Sequence, residues 1–259
     1  MSDMNRRLTV LADGESFVTD ARFRLSGRLR IGLYPSLFLL QAWNLSDGEL
    51  FRLRNTKHLS VLHGDSCLAS GTVSDVFQQT VPEGTVTTAA FSLGLDLWEA
   101  PVSLLVLAGV SVSETVRRLL AASGTGIQLL SFPGSDPVSF RGQAFCGRAA
   151  ECIAEVLSSA SARGYLVPAG LCVIPADPLP ATLHLSEKDL TDQPVTADGG
   201  KKWILSTTVT GFQPGEEMTL EADGMTCAGL ILERRTEADT ASGPWETQLL
   251  VEVYGGVTS

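Results

Sequence analysis

The sequence predicts a mainly β protein with a small α+β insertion: two antiparallel β-barrel-like domains flanking a helix–hairpin domain. Apolar residues alternate at period two through the first hundred residues, and they alternate again towards the end of the chain. Between these stretches the apolar spacing becomes helical. Successive side chains of a strand point to opposite faces, whereas a helix face repeats every three to four residues, so a change of period marks a change of element. The boundaries read as 1–100, 101–175 and 176–259.

In the first segment, "FVTDARFRLSGRLRIGL" puts Phe17, Ala21, Phe23, Leu25, Leu29, Ile31 and Leu33 on one parity. Asp20, Arg22, Arg24, Arg28 and Arg30 take the other. That is one or two long strands with a dry and a wet face, and Gly27 reads as a bulge or bend. "LFLLQAWNL" follows, Ser46-Asp47-Gly48 reads as a turn, and "ELFRLR" reads as the returning strand of a hairpin. "HLSVLHGD" and "GTVSDVFQQ" add short strands. "TVTTAAFSLGLDLW" places Ala89, Phe91, Leu93, Leu95 and Leu97 along one side of another. Short strands punctuated by turns suggest a small barrel or sandwich.

The middle segment opens with Ser111 and Glu114 three residues later, a capping-box pattern. Val112, Val116, Leu119 and Leu120 recur at helical spacing, with Gly124 as C-terminal cap. A second helix carries the stripe Ala149, Cys152, Ile153, Val156, Leu157 and Ala160, and Gly164 is expected to end it. "YLVPAGLCVI" reads as a hairpin turning at Pro168-Ala169-Gly170. After the proline-rich "PADPLPAT", β structure returns in "KKWILSTTVTG" and "EEMTLEA", a turn at Ala222-Asp223-Gly224, and "MTCAGLILERR". The closing "GPWETQLLVEVY" sets Trp245, Thr247, Leu249, Val251 and Val253 on one face. No tandem repeat is visible, although the two β segments are similar in size.

Composition bounds the function. With 259 residues, 44% of them apolar, and a mean hydropathy of +0.17, the chain can build real cores. No run approaches 18 apolar residues, so no helix crosses a membrane. "MSDMNRRLTV" lacks the apolar core of a secretion signal, so the expectation is a chain made in a cytosol. Five cysteines, odd in number and irregular in spacing, read as free thiols. The net charge of −10 is uneven. Residues 1–100 carry 9 Lys+Arg against 11 Asp+Glu, residues 101–175 carry 5 against 4, and residues 176–259 carry 5 against 14. An acidic surface repels phosphate, which argues against nucleic-acid binding by the last third.

The catalytic inventory is thin. His58, His63, Asp65 and Cys67 form the best metal-like or hydrolase-like cluster. The two histidines have opposite strand parity, however, and the spacing fits no zinc pattern. His184 with a distant cysteine lacks a protease context, "GSD" at 134–136 lacks a nucleophile elbow, and "GTG" at 124–126 lacks a phosphate-loop setting. Glu216 and Glu217 are adjacent and read as a solvated edge. No catalytic, cofactor-binding or metal residue is assigned, and no cofactor is expected. Arg22, Arg24, Arg28 and Arg30 form a basic row, either an ordinary solvated face or a docking edge for an acidic neighbour, the C-terminal domain or another subunit. "LYPSLFLLQAW" is apolar on both parities, which reads either as core on both faces or as an oligomer contact, with Tyr34, Leu37 and Trp43 the candidates for the latter. Trp245, opening the last strand, is the remaining interface candidate. A monomeric adhesion or carbohydrate-binding module exposing Trp43 or Trp203 is the other non-catalytic alternative.

The order of these pieces resembles a known family. "LRIGLYPSLFLLQAWNLSDGELFRL" and "GTVSDVFQQ" are followed by "ETVRRLLAAS", a helix–hairpin unit, and "GLILERRTEADTASGPWETQLLVEVY". This is similar to the baseplate hub proteins of contractile phage tails and related injection machines, the late-control family. The Trp-x-Thr that opens the last strand, here Trp245 and Thr247, is the most telling part. The resemblance implies a virion structural protein that is not an enzyme, assembled in the bacterial host cytoplasm. It implies a homotrimeric ring of six barrel-like domains between a six-fold tail tube and a three-fold central spike. Tail tube protein, central spike protein and other baseplate subunits are the implied partners. DNA is expected to cross such a ring without sequence-specific binding, and the acidic last third is expected to line part of the channel. The hydrolase domain attached in some relatives is not expected in this chain.

Overall fold

The computed structural model describes residues 6–17, 21–132, 134–175, 183–222 and 225–258. The first segment runs β1 (Thr9–Ala12), β2 (Glu15–Ser16), β3 (Phe23–Arg30), β4 (Ser36–Trp43), α1 (Asp47–Asn55), β5 (His58–His63), β6 (Ser66–Val81) and β7 (Gly84–Leu93). The insertion holds α2 (Leu95–Glu99), β8 (Pro101–Val106), α3 (Val112–Ser123), β9 (Leu129–Ser131), β10 (Gln143–Arg148), α4 (Ala149–Ser159), β11 (Ala162–Val167) and β12 (Gly170–Pro175). The chain then continues with β13 (Leu183–Ser186), β14 (Val195–Ala197), β15 (Lys202–Thr207), β16 (Glu217–Ala222), β17 (Met225–Asp239) and β18 (Trp245–Thr258). The protein is mainly β with a small α+β insertion, as its periodicity predicts.

Among the described residues, the β segments before and after the insertion share one 13-stranded sheet, ordered β14-β15-β18-β17-β3-β4-β7-β6-β5-β1-β2, with β16 on β17 and β13 parallel to β16. Where the sequence separates three domains, packing groups the described residues into two units. One draws on Met1–Leu29, Ser36–Ser92 and Ala181–Ser259, the other on Arg30–Pro35 and Leu93–Pro180. The reason is that β3 and β17 are sheet neighbours, so the first and last segments are hydrogen-bonded to each other. The last segment keeps its own core, with Leu185, Leu205, Met218, Leu220, Ile231, Leu249 and Val251 buried together. In the insertion α3 and α4 pack with β8, β10, β11 and β12 around Val116, Leu119, Phe145, Ile153, Leu157 and Leu171.

Several local expectations are overturned. Residues 47–55 form a helix, not a hairpin arm. Ser46 caps it, accepting from the Glu49 N–H at 3.4 Å, while the Glu49 carboxylate accepts from the Ser46 N–H at 2.7 Å. Asp47 and Glu49 in its first turn and Arg52 and Arg54 in its last suit the helix dipole. Leu95 and Leu97 belong to α2, because Gly94 at φ 83° turns the chain out of β7. Gly27 is no bulge: the β3–β4 register runs unbroken from Phe23↔Ala42 to Gly27↔Phe38. Helix α4 ends at Ser159 with a positive-φ turn at Ser161, and Gly164 lies inside β11. There a Cβ would sit 2.7 Å from the Leu157 Cδ1, so glycine permits the close approach of helix and strand. Gly124, by contrast, is the left-handed C-cap of α3. The 168–170 hairpin forms, whereas the turn at 222–224 and most of the proline-rich segment lie outside the described residues.

Candidate assembly surface

The alternation of β3 turns its arginines away from the core, and β17 alongside carries acids at matching spacing. Arg22 pairs with Asp239 at 3.0 Å, Arg24 with Glu237 at 3.7 Å and Arg28 with Glu233 at 3.0 Å. The acidic neighbour of the basic row is therefore the last segment of the same chain. In two of these pairs the arginine reaches solvent and the acid is only half-buried, so each adds little stability. The first is different, because Asp239 is only 1% exposed. Its carboxylate accepts from Arg22 at 3.0 Å and from the Ala241 N–H at 2.8 Å, and the Arg22 guanidinium lies 4.2 Å from the centre of the Trp43 ring. Arg30 is exposed and has no ion-pair partner among the described residues.

Burial pushes the Asp239 carboxyl up, but the Arg22 hydrogen bond, the Ala241 N–H and the charges of Arg22 and Arg24 outweigh it and hold the group below its ordinary value. A folded-state value below the unfolded one gives stability that is present above about pH 4 and lost as pH falls through the depressed value. Asp239→Asn is expected to cost about 1–2 kcal/mol at neutral pH, the scale of a charge-assisted hydrogen bond. It should also flatten the acid limb of the stability curve. Urea unfolding of both proteins from pH 7 to pH 3 checks this, and parallel acid limbs would refute it.

The other interface candidates divide. Leu37 is 55% exposed on β4, and Tyr34 is 59% exposed with its ring centre 5.1 Å from that of Trp98. Trp43 is half-buried under Arg22. Trp245 is a correction: it is buried within the chain, with its ring centre 5.0 Å from that of His63, and offers no surface to a partner. Along β18 the predicted face is otherwise as read, with Thr247, Leu249 and Val251 buried beside it.

The histidine–cysteine segment does not converge. His58 meets the Ser70 hydroxyl at 2.8 Å, whereas His63 at the far end of β5 meets the Thr210 hydroxyl at 3.1 Å. Asp65 is exposed in the turn, and burial pushes the Cys67 thiol up, the reverse of an activated nucleophile. No group of three metal-binding side chains comes together among the described residues. His184 is hydrogen-bonded to Thr219 on β16, and Asp136 of the "GSD" loop caps α3, accepting from the Ser113 N–H at 2.9 Å.

One buried group escaped the sequence reading. Arg234 is 2% exposed and donates to the Phe212 carbonyl at 2.8 Å and to the Leu68 carbonyl. Burial pulls its pKa down to about 10, opposed by the neighbouring Cys67 and Glu216. Glu216 and Glu217 are not a solvated edge: Glu217 is buried, and Glu216 accepts from the Gln213 N–H at 2.7 Å. The signal for Arg234 was its parity, since Glu233 and Arg235 flank it on the outward face.

No protein-family model and no curated protein sequence matches this chain. Solved structures do match its fold. The tail protein from Neisseria meningitidis MC58 is 11% identical, with 95% of this chain and 96% of that chain covered and a TM-score of 0.72. The 43 kDa tail protein of prophage MuSo2 from Shewanella oneidensis is 11% identical, with 96% of each chain covered and a TM-score of 0.68. The E. coli c3393 protein is described as a type VI secretion system component similar to the T4 phage tail proteins gp27 and gp5. It is 9% identical, with 95% of this chain and 77% of that chain covered and a TM-score of 0.67. These structural neighbours are phage tail and type VI secretion proteins, and what they share with this chain at such identities is the fold.

Proposed function

We propose that the chain is a structural component of a phage tail or related injection machine, and within it the baseplate hub. In this reading its β segments are the two barrel-like tube domains, three copies make a ring of six, and the ring joins a six-fold tail tube to a three-fold central spike. The observation that carries it is a fold shared with tail proteins over nearly the whole of both chains. Tail tube, spike and other baseplate subunits are the partners, in the virion tail. The protein works by contact and not by catalysis, which accords with its scattered histidines. A ring that passes DNA gains from not binding it, because each neutralised phosphate adds affinity that would slow transit. The arginine row tempers the acidic-channel idea, since Glu233, Glu237 and Asp239 are already paired.

The test is absolute mass by light scattering on a size-exclusion column across a wide concentration range, alone and with spike and tube proteins. A species near three times 27.5 kDa is expected. A chain that stays monomeric even with those partners present would sink the hub reading.

A further inference from the structure

The insertion carries a groove and, at its other end, a side chain shaped to fill one. The groove, about 300 Å³, lies between Gly32–Tyr34, Trp98, α4 and the start of β11. Small residues on its surface, among them Ala150, Ala154, Ala162 and Gly164, leave room between the Tyr34, Trp98 and Leu157 side chains. Arg148 stacks on Trp98 and pairs with Glu151 at 3.6 Å. Glu155, one helical turn beyond Glu151 on the same exposed stripe, has no ion-pair partner among the described residues.

Phe140 is 94% exposed, more than any other large apolar side chain among the described residues. Its loop is nevertheless pinned. The Gly109 N–H donates to the Ser139 carbonyl at 2.8 Å, the Ser139 N–H to Val110 at 3.0 Å, and the Ser139 hydroxyl to the Arg141 carbonyl at 2.7 Å. The ring is therefore held out in solvent at little ordering cost to a binding event. Leu107 at 68% and Val138 at 46% exposure extend the apolar patch, and the Arg141 side chain beside it has no ion-pair partner among the described residues.

Knob and groove lie beyond opposite ends of the β8–β10 ribbon, whose pairing runs from Gln143↔Val106 to Arg148↔Pro101. Eight residues of extended chain from Phe140 to Arg148 span roughly 26 Å, so the knob cannot fill the groove of its own chain. We infer that Phe140 of one copy seats in the Tyr34–Trp98–Ala154 groove of a second copy, with Arg141 meeting Glu155. The apolar parts match, and the unpaired charges are of opposite sign. Such a head-to-tail contact propagates from copy to copy and closes into a ring where the rotation allows. The inference rests on the proposal that copies of this chain associate.

A photo-reactive benzoylphenylalanine at position 140, in a mixture of isotopically light and heavy copies, tests it. The expected crosslink joins different copies and maps to residues 31–34 or 150–157. Ala154→Arg, which fills the groove from an exposed helix position, should abolish it. Phe140→Asp, at a site that supports no core, should leave thermal unfolding unchanged and raise the concentration needed for association on the order of tenfold or more. Arg141→Glu and Glu155→Arg should each weaken association, and together restore it. Association that survives Phe140→Asp unchanged, or crosslinks that map elsewhere, overturns the knob and leaves the trimer standing. Knob-dependent assembly at another stoichiometry keeps the knob and removes the trimer, and a monomer without crosslinks removes both.

Discussion

Arg234→Ala is expected to destabilise the β unit by roughly 3–5 kcal/mol, the scale of breaking a buried charged network. The size follows from what the guanidinium satisfies. Between β5 and β6 the register shifts from Val61↔Ala69 to Leu62↔Cys67, which leaves Leu68 as the extra residue of a bulge. A bulged residue loses its place in the ladder, so a buried carbonyl there needs another donor. Arg234 supplies it from β17, and with its second nitrogen serves the Phe212 carbonyl in the loop before β16. Alanine would leave both carbonyls without a donor, open a cavity and strip the half-buried Glu216 of its nearest cation. Arg234→Met fills the space but not the hydrogen bonds and should lie between the two. Arg234→Lys keeps the charge but cannot fork to two carbonyls, so it should also fall short. Because the chain packs as two units, unfolding must be read for the β unit alone. Trp43, Trp203 and Trp245 report on it once Trp98 of the insertion is replaced by Phe. Urea unfolding should then show a lower midpoint at unchanged slope. A loss below about 1 kcal/mol, no more than a typical surface change, would show that the two carbonyls are satisfied without Arg234.

The same residue marks where sequence reading stopped. Period two correctly paired dry and wet faces along β3 and β18, and the 3.6 period found α3 and α4, because both patterns are written by burial along one element. A partner across the sheet leaves no periodic trace, so the acidity of residues 176–259 as a whole does not identify β17 as the neighbour of the basic row. Ser46-Asp47-Gly48-Glu49 carried both a turn signal and a capping box. The turn reading failed because the reciprocal Ser46–Glu49 bonds give the backbone a helix start. Trp245 illustrates another limit: strand parity placed it with the buried Leu249 and Val251, and opening the last strand does not give it a surface. The arginine row was legible as a docking edge, but only the sheet order decides that its acidic neighbour belongs to the same chain.

Gly27→Val is expected to cost about 3 kcal/mol, the upper end of overpacking a buried site. A Cβ built on Gly27 would lie 2.2 Å from the Phe38 Cδ1 and 3.0 Å from its Cγ and Cε1. Phe38 is directly opposite on β4, is 1% exposed and stacks on Phe91 at 5.4 Å between ring centres. The ring therefore has no free volume to swing into, and the strand must shift instead. That strand is β3, the seam through which the first and last segments share a sheet, so a shift there is felt on both sides. An aromatic ring laid over a cross-strand glycine also covers backbone that glycine leaves bare, so replacing either residue alone is expected to cost stability. Gly27→Ala should be milder but still unfavourable, despite the usual entropic gain from losing a glycine. Phe38→Leu costs stability on its own, yet in the double variant with Gly27→Ala the two losses should add to less than their sum. A coupling of about 1 kcal/mol in that cycle is the expected signature of a direct clash. Strict additivity, or a neutral Gly27→Ala, would mean the ring is not what requires glycine and would return Gly27 to the reading of a backbone bend.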